Sequence, residues 1–270
     1  MNNVAVALSI YKSDTPEFVS QAIDSILIQD VPFVLFIQVD GPISYDLKKI
    51  LCQYEKNDFI EIEYNDDNKG LAFRLNQIID HVVESRNFEF IARMDADDIC
   101  HPKRFITQVQ FLLDNPDVDV VGSDVIEISN TGTEIFYKKM DSEHNIMVKK
   151  IIKKCPFNHP SIMFRTSIFN SNLRYKPELK NTQDYYLWID LIVANKKFSN
   201  INQPLLKFRI DDNFHSRRGI NKAMNDLKSR IYAFKKLDVL TIQNIIHTIN
   251  LCLLRIAPSY IKKLAYKRFR

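Results

Sequence analysis

The feature that most constrains the fold is a regular alternation of apolar strands with amphipathic helices over residues 4–128. The runs rich in β-branched and aromatic residues are predicted to be strands: VAVALSIY (4–11), FVLFIQVD (33–40), FIEIEYN (59–65), FEFIARMD (88–95) and VDVVGSDVIEI (118–128). Apolar side chains at helical spacing predict a helix after each of the first four, starting near Asp14 or Thr15, near residue 45, after Gly70 and near Pro102. The sequence therefore predicts an α/β fold with a mostly parallel central sheet flanked by helices.

The composition disfavours several common classes of α/β protein. Glycine occurs only 5 times, and neither G-x-G-x-x-G nor G-x-x-x-x-G-K-[ST] is present, so a dinucleotide-binding domain or a P-loop ATPase is disfavoured. The 4 cysteines form no C-x-x-C pair, which favours reduced thiols over a zinc or redox centre. No basic leader precedes the first strand and no apolar run is long enough to span a bilayer, so we expect a protein that is soluble or attached to a membrane surface.

Three carboxylates, Asp95, Asp97 and Asp98, lie at the end of the fourth predicted strand and just after it, in the sequence MDADD. Asp40 ends the second strand, and the carboxyl ends of parallel strands meet at one edge of a sheet, so we expect Asp40 near Asp95. Asp97 or Asp98 could simply cap the next helix. An EF-hand loop is excluded, because Cys100 and Ile106 stand where it requires glycine and glutamate.

Two catalytic interpretations of the acidic cluster remain open from the residues alone. A haloacid-dehalogenase-type phosphatase would use Asp95 as its nucleophile and Asp97 as its acid/base. Alternatively, the cluster would hold Mg²⁺ or Mn²⁺, which bind carboxylates and leave positions for a substrate diphosphate. The cation would then offset the repulsion among the carboxylates. A binding module without catalysis is a third possibility for the chain.

The sequence resembles the inverting glycosyltransferases of family 2 from Val4 to about Gly219. The motifs that carry the resemblance, in family order, are LSIYKSDTPEFVSQAIDSILIQ, VDGP, NKGLAFRLNQII, FIARMDADDICHPKRFITQVQFL, VDVVGSDV, NHPSIMFR, TQDYYLWIDL and INQPLLKFRI. FHSRRG is similar to the ending of bacterial O-antigen, capsule and exopolysaccharide sugar transferases, including the amylovoran-synthesis type. The resemblance implies a Rossmann-like GT-A domain over 1–219, with a nucleotide-binding half (1–128) and an acceptor-binding half (129–219). Residues 220–270 would form a helical, basic extension.

The resemblance also implies roles for individual residues. The D-x-D motif places Asp97 on the metal and Asp95 on the donor ribose or the metal's water shell, with His215 as a further metal candidate; the cofactor would be Mn²⁺ or Mg²⁺. The other residues expected to bind the donor are Ser9, Tyr11, Asp40, Lys69, Arg74, Arg217 and Arg218. Asp184 would be the catalytic base, and His159 and Trp188 would bind the acceptor.

These roles imply a metal-dependent transferase that moves a sugar from a nucleotide donor, with UDP the expected nucleotide, and forms a β-linkage. The expected acceptor is an undecaprenyl-diphosphate-linked saccharide in bacterial surface polysaccharide synthesis. Nucleic acid is not expected as a partner, because the net charge is only +4 and no binding motif is present.

The end of the chain is basic and amphipathic. Ile242, Ile245, Ile246, Ile249, Leu253 and Ile256 recur at helical spacing, and KKLAYKRFR ends the sequence. No acidic residue follows Asp238. This composition suits anionic lipid headgroups, so we expect a cytoplasmic protein that is peripheral on the inner face of the cytoplasmic membrane. A helix packed on the domain with a solvated basic end is the alternative.

Overall fold

The computed structural model describes residues 3–179, 181–210 and 220–257. The strands are β1 (Val4–Ile10), β2 (Phe33–Val39), β3 (Ile60–Tyr64), β4 (Phe90–Met94), β5 (Ile99–Cys100), β6 (Val120–Ile128), β7 (Glu134–Lys138), β8 (Met163–Arg165) and β9 (Phe198–Arg209). The helices are α1 (Pro16–Leu27), α2 (Tyr45–Tyr54), α3 (Leu71–Ser85), α4 (Arg104–Asp114), α5 (His144–Lys149), α6 (Gln183–Val193), α7 (Ile220–Leu237) and α8 (Ile242–Ile256).

The strands form one sheet in the order β3-β2-β1-β4-β8-β6-β9-β5, with β7 paired to β6. Strands β1 to β4 pair in parallel, whereas β8 is antiparallel to both β4 and β6. Beyond β8, β6 and β9 are parallel, and β5 runs antiparallel to β9. The predicted α/β fold is confirmed, with parallel pairing confined to the first four strands and the β6–β9 pair in the described part of the chain.

Both faces of the sheet are covered by helices. In β1, Val4, Val6 and Leu8 point into one core cluster, which contains buried residues of α1, α2 and α4. Ala5 and Ala7 alternate with them and point into a second cluster, which contains residues of α3 and α6. Because successive side chains of a strand face opposite sides, a strand buried on both faces is apolar throughout. This explains the continuous apolar runs of the sequence.

The strands and helices predicted over residues 4–128 are present, with ends that differ by a few residues. The structure also contains β5, β7 and α5, which the sequence pattern did not indicate, and all but the last residue of the motif INQPLLKFRI lies in β9 (Phe198–Arg209). The predicted C-terminal helical region contains α7 and α8. None of the helices in the described ranges is long and apolar enough to cross a membrane.

Candidate active site

A cleft of about 820 Å³ opens at the carboxyl ends of β1, β2 and β4. The strand ends and the loops that follow them contribute these lining residues: Ser9, Tyr11, Lys12, Asp14, Asp40, Asn68, Lys69, Gly70, Asp95, Ala96 and Asp97. Pro177, Leu179, Asn181 and Gln183 line the cleft from the segment that leads into α6. The volume lies within the range of small-molecule sites. As expected, Asp40 and Asp95 share one rim.

The acidic loop between β4 and β5 is fixed from both sides. Strand β5 pairs with β9, and the Cys100 N–H donates to Ser25 Oγ at 2.9 Å. The Arg209 N–H donates to Asp98 Oδ1 at 2.8 Å, and Arg209 Nε donates to the Asp97 carbonyl oxygen at 2.8 Å. The result is that Asp95, Asp97 and Asp98 each bring a carboxylate oxygen within 4.8 Å of the others.

The crowded carboxylates are only partly compensated by the protein. Desolvation by the protein around the cleft, followed by repulsion from Asp95, raises the pKa of Asp97 to about 6. Burial and the charges of Asp97 and Asp95 raise the pKa of Asp98 well above its usual value. Arg93 forms an ion pair with Asp95. Arg93 and Arg209 both lower the pKa of Asp97, but the three carboxylates outnumber these two cations.

The donor set of this cluster fits a hard divalent cation. All three candidate ligands are carboxylates, which Mg²⁺ and Mn²⁺ prefer. Asp98 Oδ2 is buried and has no hydrogen-bond partner among the described residues. Asp97 is exposed to the cleft, where a bound phosphate could complete the coordination.

Asp14 is a fourth carboxylate at the cleft that the sequence analysis treated only as a helix start. Its Oδ2 accepts the Tyr11 N–H at 2.9 Å. Burial raises the pKa of Asp14 to about 7, and the charges of Asp97 and Asp95 add to the rise. Its place just after β1 was the available signal, because that loop opens on the same sheet edge as Asp40 and Asp95.

Asp40 anchors the loop that forms one wall of the cleft. It is 3% exposed, and its two oxygens accept the Lys69 N–H at 2.8 Å and the Gly70 N–H at 2.9 Å. Arg74 Nε donates to Asp40 Oδ1 at 2.7 Å. A carboxylate offers about four lone-pair positions, so Asp40 keeps one for a ligand donor.

Arg74 was expected to approach the donor, and the structure places it beneath the loop instead. It is 2% exposed, and its guanidinium also donates to Asn65 Oδ1 at 2.6 Å, to Gln77 Oε1 at 2.7 Å and to the Asp67 carbonyl oxygen. It does not contribute to the cleft lining in the described residues. Arg74 therefore positions Asp40 and the loop, and the expectation of direct donor contact is corrected.

Ser9, Tyr11 and Lys69 reach the cleft as the sequence suggested. Ser9 is half-buried near the end of β1, and Tyr11 is 42% exposed just beyond it. Lys69 is exposed, and its Nζ lies 4.9 Å from the centre of the Phe73 ring. The three side chains thus supply a hydroxyl, an aromatic ring and a cation to one rim.

Asp184 lies in the first turn of α6 and is half-buried. Burial raises the pKa of the Tyr175 phenol, and the charges of Asp184 and Asp95 both add to the rise. Tyr175 therefore lies within electrostatic reach of both Asp184 and the acidic loop. The cleft lining includes its neighbour Gln183, whose Oε1 is buried and has no partner among the described residues.

His159 and Trp188 do not both suit the acceptor site expected for them. His159 is half-buried, and its Nε2 lies 2.7 Å from Tyr175 Oη. Burial and the nearby Arg93 charge hold the pKa of His159 well below its usual value, so the ring is neutral. Trp188 is 0% exposed among Phe157, Phe164 and Phe198, so it belongs to the core and cannot contact an acceptor sugar. The acceptor-binding prediction for Trp188 is wrong.

The expected cationic group His215, Arg217 and Arg218 lies outside the described residues. Arg209, at the end of β9, binds the acidic loop and was not among the residues predicted for the site. No local pattern marks it, because Arg209 and Asp98 are 111 positions apart.

A family model decides which of the catalytic interpretations applies. The model described as glycosyl transferase family 2 matches residues 6–174, which is more than half of the chain. The chain belongs to glycosyltransferase family 2. It is therefore a glycosyltransferase with the GT-A fold, and the phosphatase interpretation of Asp95 is not retained.

Two of the curated relatives are bacterial glycosyltransferases with named substrates or products. The amylovoran biosynthesis glycosyltransferase AmsE of Erwinia amylovora is 29% identical over 83% of each chain. The UDP-Gal:alpha-D-GlcNAc-diphosphoundecaprenol beta-1,3-galactosyltransferase of Escherichia coli is 28% identical and is matched over 98% of this chain and 95% of its own length. These matches agree with the bacterial surface-polysaccharide class that the motifs indicated.

Solved structures show the same fold at low sequence identity. Staphylococcus aureus TarS 1–349 in complex with UDP-GlcNAc gives a TM-score of 0.62 at 14% identity, over 98% of this chain and 84% of that one. The mannosyltransferase PcManGT of Pyrobaculum calidifontis, in complex with GDP-Man and Mn²⁺, gives 0.62 at 13% identity, over 98% and 78%. At these identities the likeness supports the fold alone.

Proposed function

We propose that this glycosyltransferase is a divalent-metal-dependent, inverting enzyme that transfers a sugar from a UDP-sugar to an undecaprenyl-diphosphate-linked saccharide. The product would carry a β-linkage and belong to bacterial O-antigen or capsular polysaccharide synthesis. The observation that carries the proposal is the cluster of Asp95, Asp97 and Asp98, whose carboxylate oxygens lie within 4.8 Å of one another and of which Asp95 and Asp97 line the cleft.

The donor would lie along the carboxyl ends of β1, β2 and β4. The remaining lone pair of Asp40 suits the N3–H donor of uracil, and the Tyr11 ring suits contact with the base. Lys69 would contribute positive charge near the phosphates. Asp97 and Asp95 would hold Mn²⁺ or Mg²⁺, which when bound neutralises charge on the diphosphate leaving group. His215, Arg217 and Arg218 stay predictions for the same region.

The chain's own residues would carry out the proton transfer of a single displacement. Asp184 would take the proton of the acceptor hydroxyl as the oxygen attacks the anomeric carbon, while the bond to the nucleoside diphosphate breaks on the opposite side. The first turn of α6 favours the charged form of a base there. His159, neutral and bound to Tyr175, would lie on the acceptor side.

The acceptor assignment rests on the relatives and on the end of the chain. The E. coli relative is named for a diphosphoundecaprenol-linked acceptor, and AmsE is named for amylovoran biosynthesis. An acceptor of that kind would bring this enzyme to the cytoplasmic face of the membrane. The proposed division is a donor half (1–128), an acceptor half (129–219) and a C-terminal extension (220–270).

The test is a thermal-shift screen of UDP, GDP and dTDP, each with and without Mn²⁺, followed by transfer assays with a panel of UDP-sugars. We expect a stabilising shift for UDP that requires Mn²⁺, because ligand bound only to the folded state raises the unfolding temperature. Asp97→Asn should abolish the Mn²⁺-dependent part and lower kcat by roughly 100-fold, a size typical for loss of charge stabilisation at a leaving group. Asp184→Asn should lower kcat while it leaves the UDP–Mn²⁺ shift intact.

The control is Glu84→Gln, which changes an exposed carboxylate of α3 away from the cleft and should behave as wild type. Full transfer without any divalent cation, or full activity of Asp97→Asn, would remove the metal assignment. Unchanged transfer by Asp184→Asn would remove the assignment of the base. If both variants kept normal cellular function, a non-catalytic role would be favoured.

A further inference from the structure

Helix α8 is packed against the protein through its polar side. Asn244 and Thr248 are buried at 8% and 4% exposure, and Cys252 Sγ lies 3.9 Å from the Ala223 carbonyl oxygen of α7. The Asn244 amide donates to the Val239 carbonyl oxygen at 2.9 Å, and Thr248 Oγ1 donates to the Asn244 carbonyl oxygen at 2.8 Å. These polar groups are satisfied, so their burial is tolerated.

The opposite side of α8 is aliphatic and faces outward. Its exposed large side chains are Ile242 (77%), Ile245 (39%), Ile246 (53%), Ile249 (53%) and Leu253 (56%). At 100° per residue these five positions lie within about a third of the helix circumference. We call them the aliphatic face. A contiguous apolar surface of this kind marks an interaction site, because a surface helix normally turns its apolar side to the core.

The sequence that contains and follows the aliphatic face is basic, and this charge favours one kind of partner. Residues 239–270 contain Arg255 and then, beyond the described residues, Lys262, Lys263, Lys267, Arg268 and Arg270, with no acidic residue. Arg255 Nε is paired with Asp226 Oδ2 at 2.7 Å, so the net positive charge of this stretch comes from the five basic residues that follow α8 in the sequence. On α7, the exposed residues at helical spacing are Met224, Lys228, Ile231 and Lys235, which again combine apolar and basic side chains.

A second copy of the chain fits this surface poorly. Two aliphatic faces could cover each other, but that contact would offer no negative charge to the basic residues that follow Asp238 in the sequence. An anionic lipid surface complements both properties, since its acyl chains accept the aliphatic side chains and its headgroups attract the lysines and arginines.

We propose that the aliphatic face of α8 docks on a bilayer with anionic headgroups, with the helix lying in the plane of the interface. The proposal rests on the proposed function only in its purpose, which is to hold the cleft near a lipid-linked acceptor. The surface itself is argued from exposure and charge.

The experiment is flotation of the full chain with vesicles of phosphatidylglycerol and phosphatidylcholine, and with vesicles of phosphatidylcholine alone. Ile246→Asp/Ile249→Asp changes the aliphatic face, and the matched control Gln243→Asp/Asn250→Asp adds two carboxylates at exposed polar positions of the same helix. We expect wild type to float with the anionic vesicles and release at high salt. The aliphatic-face variant should bind at least about tenfold more weakly than the charge-matched control.

Thermal shifts with UDP and Mn²⁺, measured without lipid, show whether each variant is folded and keeps its donor site. Folded variants with equal vesicle binding would overturn the proposal, and so would absent binding of wild type. A wild-type dimer on size exclusion that Ile246→Asp/Ile249→Asp dissociates, without vesicle binding, would assign the face to a second copy instead. If wild type bound vesicles but neither it nor the variants showed a thermal shift with UDP and Mn²⁺, the proposed function would be contradicted and the proposed docking surface would be supported.

Discussion

Arg93 is a buried cation at the centre of the acidic site. It is 3% exposed and forms an ion pair with Asp95, while its Nε and Nη1 have no hydrogen-bond partner among the described residues. Its charge also lies near Asp98, His159 and Tyr175, whose pKa values it lowers. The residue thus lies between the acidic loop and the pair formed by His159 and Tyr175. The sequence could not show that this arginine is buried, or that Arg209 joins it in offsetting the negative charge of the acidic loop.

The first prediction concerns the substitution Arg93→Met. We expect it to lower the free energy of unfolding by about 2 kcal/mol, because it leaves Asp95 without its ion-pair partner and removes a positive charge that acts on Asp98. This loss of stability is smaller than for a fully buried ion pair, because Asp95 is 32% exposed and solvent screens its charge. Urea unfolding measures the change. Lys197→Met, which breaks the exposed pair with Asp117, should lower the free energy of unfolding much less, because solvent screens that pair. Equal losses would contradict the central role of Arg93.

The second prediction is a decrease in stability as the pH rises without divalent cations. The folded-state pKa values are about 7 for Asp14 and about 6 for Asp97, against about 4 in an unfolded chain. The folded state therefore holds more protons between pH ~4 and ~7, and the free energy of unfolding falls as pH rises through that window. Unfolding temperatures across this range should fall less steeply in Asp14→Asn/Asp97→Asn.

Mn²⁺ should act in the opposite direction, because it binds deprotonated carboxylates and stabilises more at pH 7 than at pH 5. Glu84→Gln serves again as the control and should keep the wild-type slope. A double variant with the same slope as wild type would show that other groups govern the pH dependence.

At the scale of elements, the loop before α3 shows what local sequence patterns can and cannot reveal. Gly70 adopts a φ of +87°, which favours glycine, and α3 begins directly after it at Leu71, as the sequence predicted. The long-range bonds from Asp40 and Arg74 that fix this turn were not predictable, because their partners are more than 20 positions apart. Trp188 was misassigned for a related reason: α6 buries Tyr185 through Ile189, so its pattern lacks the polar face that would have marked Trp188 as core.

The third prediction tests the anchoring of α3. Arg74→Leu should lower the free energy of unfolding by about 3–5 kcal/mol, because Arg74 and Asp40 are 2% and 3% exposed and the carboxylate would remain buried without its cation. Urea unfolding gives the loss, and the UDP–Mn²⁺ thermal shift should weaken because Lys69 and Gly70 are no longer held. Lys49→Leu, at an exposed position of α2, should change stability by less than about 0.5 kcal/mol. A loss as small for Arg74→Leu would mean that the loop is held by other contacts.

At the scale of the whole molecule, the two expected halves share one sheet. Strand β8, from the expected acceptor half, lies between β4 and β6, and β9 lies between β6 and β5. Neither arrangement was visible in the sequence, since β8 has only 3 residues and its pairings are long-range. The alternation of strands and helices over residues 4–128 predicted the first half of the sheet because each crossover there is local. The second half required tertiary information.

This shared sheet leads to the fourth prediction, that both halves unfold in a single cooperative transition. Trp188 is the only tryptophan and lies in the core cluster of α3 and α6, so its fluorescence reports the second half. Leu8 is 0% exposed in the opposite cluster, beneath α1. Leu8→Ala should lower stability by about 2–5 kcal/mol through the cavity it leaves. The urea midpoint of Trp188 fluorescence should shift as far as that of far-UV circular dichroism, because β1 and β8 are both bonded to β4.

Ile28→Ala removes a side chain that is 56% exposed and should change the free energy of unfolding by less than about 1 kcal/mol. Both urea midpoints should therefore stay close to those of wild type. If Leu8→Ala moved the circular dichroism midpoint while the Trp188 midpoint stayed in place, the halves would fold independently. The cleft would then lie between two separable units, and the carboxylates after β4 could move relative to Asp184. A common shift means instead that the sheet holds the proposed metal ligands and the proposed base in one rigid frame, as a displacement at a single carbon requires.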